Sequence, residues 1–214
     1  MKILALDTSS KILALGVYAE GRVYEYNLEV GRKLSDLLDK TIQRVLEAAG
    51  VGIKEIDYFA CGIGPGSFTG VRTGVAMIKG LSWALKKPVI GISSLDILAQ
   101  GAVDADKLIV PALDAKRSLI YCSVYQKKSG KLARVKPYML LPENEVLAKI
   151  KGDYVLLGDA PLGSLNFLDK DYWYPKAHNI ITLALERIKE KKIKNSFNLE
   201  PIYLYPKECQ IKTK

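Results

Sequence analysis

Residues 62–74 read GIGPGSFTGVRTG, with glycine at 62, 64, 66, 70 and 74. The apolar run Tyr58-Phe59-Ala60-Cys61 precedes them and a second apolar stretch, 75–85, follows. That layout reads as strand, tight turn, helix. Glycine serves where the backbone takes positive φ or comes very close to another group. The turn therefore either cradles a ligand or lets a helix pack unusually close. A P-loop needs G-x-x-x-x-G-K-[ST], whose lysine reaches the outer phosphates. No lysine lies between Cys61 and Ile78, the G-x-G-x-x-G spacing is absent, and Pro65 stiffens the turn. What stays open is an anion on the free N–H groups at the start of the following helix, with Arg72 close enough to help.

Other reactive side chains are few. His178 is the only histidine, so no H-E-x-x-H or H-x-x-x-H zinc pair exists. It reads as a structural residue at a helix N-terminus. Cysteines 61, 122 and 209 show no paired spacing, which argues against zinc and against a secreted disulfide framework. A carboxylate site for magnesium stays open at Asp7 and Asp114. Ser67 sits in G-P-G-S-F-T-G rather than in a G-x-S-x-G elbow, and reads as a helix cap.

The 214 residues are 49% hydrophobic and 26% charged, enough for proper cores in one large or two small domains. No apolar run reaches membrane-spanning length. The N-terminus meets Asp7 too early for a signal-peptide apolar region, so the expected compartment is the cytoplasm. The formal charge of +9 favours polyanionic partners, RNA included. Part of it lies in KEKKIK, 189–194, which reads as a solvated face at a helix C-terminus.

The elements that position these residues follow from pattern. Residues 2–7, 12–18 and 22–29 form a three-stranded meander. Residues 33–49 carry a helical stripe closed by Gly50. A strand at 57–63 leads through the glycine turn into a helix, capped by Ser67 or Thr69, that ends near Lys87-Pro88. A strand at 88–91 and a helix from Ser93 or Ser94 to about Val103 complete the half. The second half echoes the first. Ala5-Leu6-Asp7 returns as Ala112-Leu113-Asp114, and Val17-Tyr18 returns as Val124-Tyr125 at the same distance after each aspartate. Gly21 and Gly130 mark the next hairpins. Two α/β lobes are expected, 1–105 and 106–214, each a mixed sheet opening with an antiparallel meander. Helices at 143–151 and 178–191 are assigned to the second lobe. The arrangement resembles the actin-like ATPases, where the first turn carries an acidic residue and a hydroxyl near the nucleotide phosphates. Asp7, Thr8 and Ser9 match in type.

Gly70 and Gly74 are four residues apart and share one helix face, which Ile78 and Leu81 continue. Each glycine inside a helix costs roughly 1 kcal/mol against alanine, so close approach of another element must compensate. That element is either the lobe's own sheet or a partner helix. With the 33–49 helix, this helix could make half of a four-helix interface.

GIGPGSFTGVRTG, with the opening ILALDTSS, is similar to the bacterial TsaB (YeaZ) family. Val89-Ile90-Gly91-Ile92-Ser93-Ser94-Leu95, Leu113-Asp114-Ala115-Lys116-Arg117 with Ile120-Tyr121, and Pro201-Ile202-Tyr203-Leu204 also match in order. The resemblance spans nearly the whole chain and is weakest over 130–195. Two positions depart. The family's His-Ser pair opening the first long helix is Leu34-Ser35 here, and the arginine of its I-D-A-R segment is Lys116. Both changes weaken a catalytic role there. The resemblance implies an actin-like (ASKHA) fold without the metal-binding histidines of the paralogue TsaD. It implies a non-catalytic scaffold that heterodimerises with TsaD and engages the ATPase TsaE. That assembly installs N6-threonylcarbamoyl on the adenosine beside the anticodon of tRNAs reading codons that start with A. ATP and a metal ion are then expected on the partner subunits, and two copies of the chain could pair when TsaD is absent. By family analogy the partner interface falls near Leu34, Leu38, Thr41, Gly70, Gly74 and Ile78, so Gly74→Leu is expected to stay folded and lose TsaD. The alternatives are an actin-like small-molecule kinase or ATPase using Asp7 and Thr8, and a protease acting on a TsaD-like partner.

Overall fold

Strand β1 (Ile3–Asp7) is buried at every position, because helices cover both faces of its sheet. The computed structural model describes residues 1–164 and 166–205; Cys209 lies outside them. β1 pairs antiparallel with β2 (Ile12–Ala19), which pairs antiparallel with β3 (Arg22–Glu29). On its other edge β1 runs parallel to β4 (Tyr58–Gly62), and β4 runs parallel to β5 (Val89–Ile92). The order is β3-β2-β1-β4-β5. Helices α1 (Leu34–Ala48) and α2 (Phe68–Leu85) cover one face. Their Leu38, Ile42, Val45, Val75 and Ile78 meet Leu4, Leu6, Leu13 and Leu15. Burial on both sides is what turns ILALD and ILALGVYA into near-continuous apolar runs rather than alternating ones.

Helix α3 (Ser94–Gln100) joins the two halves. Its Ile97 enters the core of the first sheet, while Leu95, Leu98 and Ala99 face the second. That second sheet holds β6 (Leu108–Lys116), β7 (Leu119–Lys128), β8 (Lys131–Pro142) and β9 (Tyr154–Leu157), in the order β8-β7-β6-β9 among the described residues. β6–β7 and β7–β8 are antiparallel and β6–β9 is parallel. This repeats the first four strands of the first sheet. The hairpins repeat as well. Glu20-Gly21 turns at φ 51° and 79°, and Ser129-Gly130 at 49° and 76°. Two consecutive positive φ values define the tight hairpin turn that matches strand twist, which is why glycine recurs at its second position.

Two helical expectations need correction. The 143–151 helix is only a short α4 (Glu143–Val146) followed by a single 3₁₀ turn. The helix assigned to the second lobe, α5 (Ala177–Lys189), lies instead on the open face of the first sheet. Its Ile180, Ile181, Leu183 and Ala184 pack on Ile3, Ala5, Ala60 and Ile90. The reason is apolar surface: that face was uncovered, and α5 carries enough branched side chains to bury it. The chain then stays with the first sheet. Lys194 pairs with Val89, Leu199 enters its core, and the Ile202 N–H donates to the Ile63 carbonyl at 2.8 Å.

Asp96 on α3 ties the sheets together. Its Oδ1 accepts from the hydroxyls of Tyr125 (2.7 Å) and Tyr138 (2.8 Å), and its Oδ2 from Arg187 Nη2 (3.0 Å). One carboxylate thus binds β7, β8 and α5.

Candidate functional site

The glycine turn closes on the chain's own first turn. The Ser67 N–H donates to the Ser9 carbonyl (2.7 Å), and Thr8 Oγ1 donates to the Gly70 carbonyl (2.7 Å). A Cβ at Gly62 would sit 1.8 Å from Asp7 Oδ2, and one at Gly66 2.4 Å from the Ser9 carbonyl oxygen. At Gly70 it would meet the Thr8 carbonyl oxygen at 2.1 Å, and at Gly74 Thr8 Oγ1 at 2.2 Å. Four of the five glycines therefore make room for a single turn, Asp7-Thr8-Ser9. Ser67 caps α2, accepting from the Gly70 N–H (3.2 Å).

Asp7 lies wholly inside. Its Oδ1 accepts from the Ser9 N–H (2.7 Å) and hydroxyl (2.6 Å), and its Oδ2 from the Ser94 hydroxyl (2.6 Å). Burial pushes this carboxyl up from the ordinary aspartate value of 3.8, against the lowering effect of the Ser9 and Ser94 hydrogen bonds. The folded chain thus keeps the proton to higher pH than the unfolded chain. The stability this contributes is complete below the unfolded pKa and is lost as pH rises through the folded one. Asp7→Asn preserves the three contacts if the Ser94 hydroxyl accepts instead of donating, and it removes the titration. Urea unfolding from about pH 4 to about pH 7 should show a shallower decline for Asp7→Asn than for wild type. Equal slopes would contradict the raised carboxyl.

The equivalent Asp114 is arranged differently. It borders a cleft of about 770 Å³ between the sheets, with Ser9, Lys11, Lys116, Arg117 and Asp159. Burial acts to raise its pKa, but the Lys116 N–H (2.7 Å) and Nζ (2.6 Å) outweigh that and hold the carboxyl below its ordinary value. The C-terminal segment crosses this cleft. Tyr203 accepts from Arg72 Nε (2.8 Å), and Tyr205 donates to the Ala115 carbonyl (2.8 Å) with its ring edge-on to Tyr121. His178 stands in the first turn of α5, where its N–H and ring Nδ1 both face the Glu25 carboxylate. Cys61 and Cys122 are free and buried, and burial raises both thiols, Cys122 to about 11. Among the described residues no group of three or more His, Cys, Asp or Glu could hold a metal ion.

The six residues expected near a partner interface lie mostly inside. Leu38, Thr41, Gly70, Gly74 and Ile78 are buried, and Leu34 is half-buried against the same core. Gly70 and Gly74 lie on the inward face of α2, because the element that approaches them is the chain's own β1 turn. The outward surface of the helix pair is built from their neighbours. A groove of about 540 Å³ between α1 and α2 is lined by Ile42, Leu46, Val51, Ile53, Met77 and Leu81 together with Asp39, Gln43 and Glu47, and most of its exposed lining is apolar. Beside it Thr73, Ala76 and Gly80 recur at helical spacing on one side of α2. A Cβ at Gly80 would meet nothing within 4 Å. Its helix cost of roughly 1 kcal/mol is therefore not offset inside the chain. A third mid-helix glycine was visible in the sequence; its small neighbours at 73 and 76 were the signal to read.

Two mixed sheets that repeat one strand order around a shared helix make this an actin-like two-lobed α/β protein. Residues 28–155 match the family model described as TsaD: tRNA N6-adenosine threonylcarbamoyltransferase. A protein of Buchnera aphidicola subsp. Schizaphis graminum, called tRNA threonylcarbamoyladenosine biosynthesis protein TsaB, is 31% identical over 91% of this chain and 98% of its own. The Bacillus subtilis protein of the same name is 30% identical over 99% of this chain and 97% of its own. The solved structure of YeaZ from Pseudomonas aeruginosa superposes with a TM-score of 0.85 at 27% identity, covering 95% and 99% of the two chains. The chain belongs to this family and, within it, to the TsaB (YeaZ) proteins. Among the described residues no helix is long and apolar enough to cross a membrane.

Proposed function

We propose that this chain is a non-catalytic scaffold subunit in the formation of N6-threonylcarbamoyladenosine in tRNA. It docks TsaD through the outer surface of α1 and α2, engages TsaE, and works in the cytoplasm. The observation that carries this reading is the apolar α1–α2 groove beside Gly80, a helix glycine with no internal contact to compensate it. The names of the full-length relatives supply the pathway. Leu34, Leu38, Thr41, Gly70, Gly74 and Ile78 support this surface from beneath, and ATP and metal belong to the partner subunits. The same surface would pair two copies of the chain when TsaD is absent.

The non-catalytic part rests on Asp7 and Ser67. A kinase or ATPase would need Asp7 free, yet its oxygens are taken up by Ser9 and Ser94. A serine protease would need an activated hydroxyl, yet that of Ser67 caps α2. The test is mass spectrometry of tRNA nucleosides from a bacterial strain depleted of this protein, together with ATP and peptide hydrolysis assays on the isolated chain. Loss of the modified adenosine on depletion, its return on restoration, and an inert isolated chain are expected. Unchanged tRNA nucleosides would overturn the pathway. Turnover of ATP that Asp7→Ala removes would overturn the scaffold role.

A further inference from the structure

The C-terminal end of α2 borders a second groove. Trp83 and Phe197 are the most exposed large apolar side chains among the described residues, at 67% and 71%. They line one groove of about 850 Å³ with Lys86, Lys87, Ile193 and Lys194. No carboxylate lines this groove, and none of its three lysines makes an ion pair among the described residues.

The aromatics are exposed on a fixed frame. Lys194 and Val89 exchange two backbone hydrogen bonds of 2.9 Å, a single antiparallel bridge that holds the segment beside β5. Lys79 Nζ donates to the carbonyls of Phe197 (3.4 Å) and Leu199 (3.2 Å), tying the next turn to α2. Asn195 caps that turn by accepting from the Asn198 N–H (3.1 Å). Lys86 closes α2 in the left-handed conformation, and the Ser82 hydroxyl bonds the Lys87 carbonyl. Folding leaves both rings in water while ordering the backbone that carries them. Exposed rings gathered in one groove, rather than scattered singly, are the kind of apolar surface found at interaction sites.

We propose that this groove binds unpaired nucleotides of an RNA, bases stacking on Trp83 and Phe197 and phosphates meeting Lys86, Lys87 and Lys194. Aromatic platforms beside cationic side chains are how proteins hold single strands, because every base offers a π-face and every linkage a negative charge. A protein partner fits less well, since the centres of protein interfaces are depleted of charge and of lysine in particular. That the RNA is a tRNA rests on the role in tRNA modification proposed above; the binding chemistry does not.

The test uses the full chain and a fluorescein-labelled single-stranded RNA of mixed sequence, read by anisotropy and tryptophan emission, with a fully paired RNA and a polyglutamate peptide as competitors. Wild type should bind with quenched tryptophan emission. Trp83→Ala with Phe197→Ala should weaken binding about tenfold or more, and Lys86→Ala with Lys87→Ala should reduce its salt dependence. Both pairs should melt close to wild type, because Trp83, Lys86 and Phe197 are exposed and Lys87 is only half-buried. Equal affinity in the aromatic double variant would overturn the proposal. So would competition by paired RNA or polyglutamate as strong as by unlabelled single strand. RNA binding that persists while tRNA modification proves independent of this protein would overturn the pathway and leave the groove assignment standing.

Discussion

Gly74→Leu should fail to fold into a stable chain. A Cβ there lies 2.2 Å from Thr8 Oγ1 and 2.9 Å from Leu6 Cδ1. The rest of a leucine would extend into the same space. Neither neighbour can give way easily. The Leu6 side chain is fully buried in the core between the sheet and the helices, and Thr8 is fixed by its bond to the Gly70 carbonyl. Overpacking a core costs typically 1–3 kcal/mol and sometimes more, and this site adds a broken hydrogen bond. Set against a total stability of about 5–15 kcal/mol, the change should lower Tm by about 10 °C or more or leave the chain insoluble. Circular dichroism melting decides the matter. An unchanged Tm with TsaD binding lost would place Gly74 at the partner surface, as the sequence suggests.

Gly80→Lys should do the opposite. Nothing beyond its own stretch of helix backbone lies within 4 Å of the new Cβ, and lysine favours a helix by roughly 1 kcal/mol over glycine, so the fold should gain stability. A long charged side chain beside the apolar groove would instead block a close-packed partner helix. Association with TsaD should weaken by at least about a hundredfold, the scale of an interface hot spot. Calorimetry with purified TsaD measures it. A folded Gly80→Lys chain with wild-type affinity would remove the α1–α2 surface from the interface.

These two glycines show where the sequence was legible. The meander, the repeat and both Gly hairpins could be read because period-two strands and left-handed turns are local properties. The spacing of Gly70 and Gly74 correctly demanded close packing. It could not say against what, because Thr8 is brought there by the parallel pairing of β1 with β4, a contact between distant parts of the chain. The same limit misplaced α5, whose apolar stripe fits the open face of either sheet until the burial of both is known. Asp7 looked like a ligand-facing carboxylate because its type and turn match that role. Its capture by Ser94, from the far end of β5, has no local signature. Gly80 was missed for a simpler reason: it does not continue the Gly70–Gly74 spacing, although its small neighbours Thr73 and Ala76 were in view.

The most direct test of a docking role without chemistry at Asp7 is complementation. A bacterial strain depleted of this protein would be rescued with wild type, Asp7→Asn or Gly80→Lys, and N6-threonylcarbamoyladenosine measured in its tRNA by mass spectrometry. Wild type and Asp7→Asn should restore the modification, and Gly80→Lys, though folded, should not. Full restoration by Gly80→Lys, with none by a folded Asp7→Asn, would contradict the scaffold role and point to a reaction at Asp7.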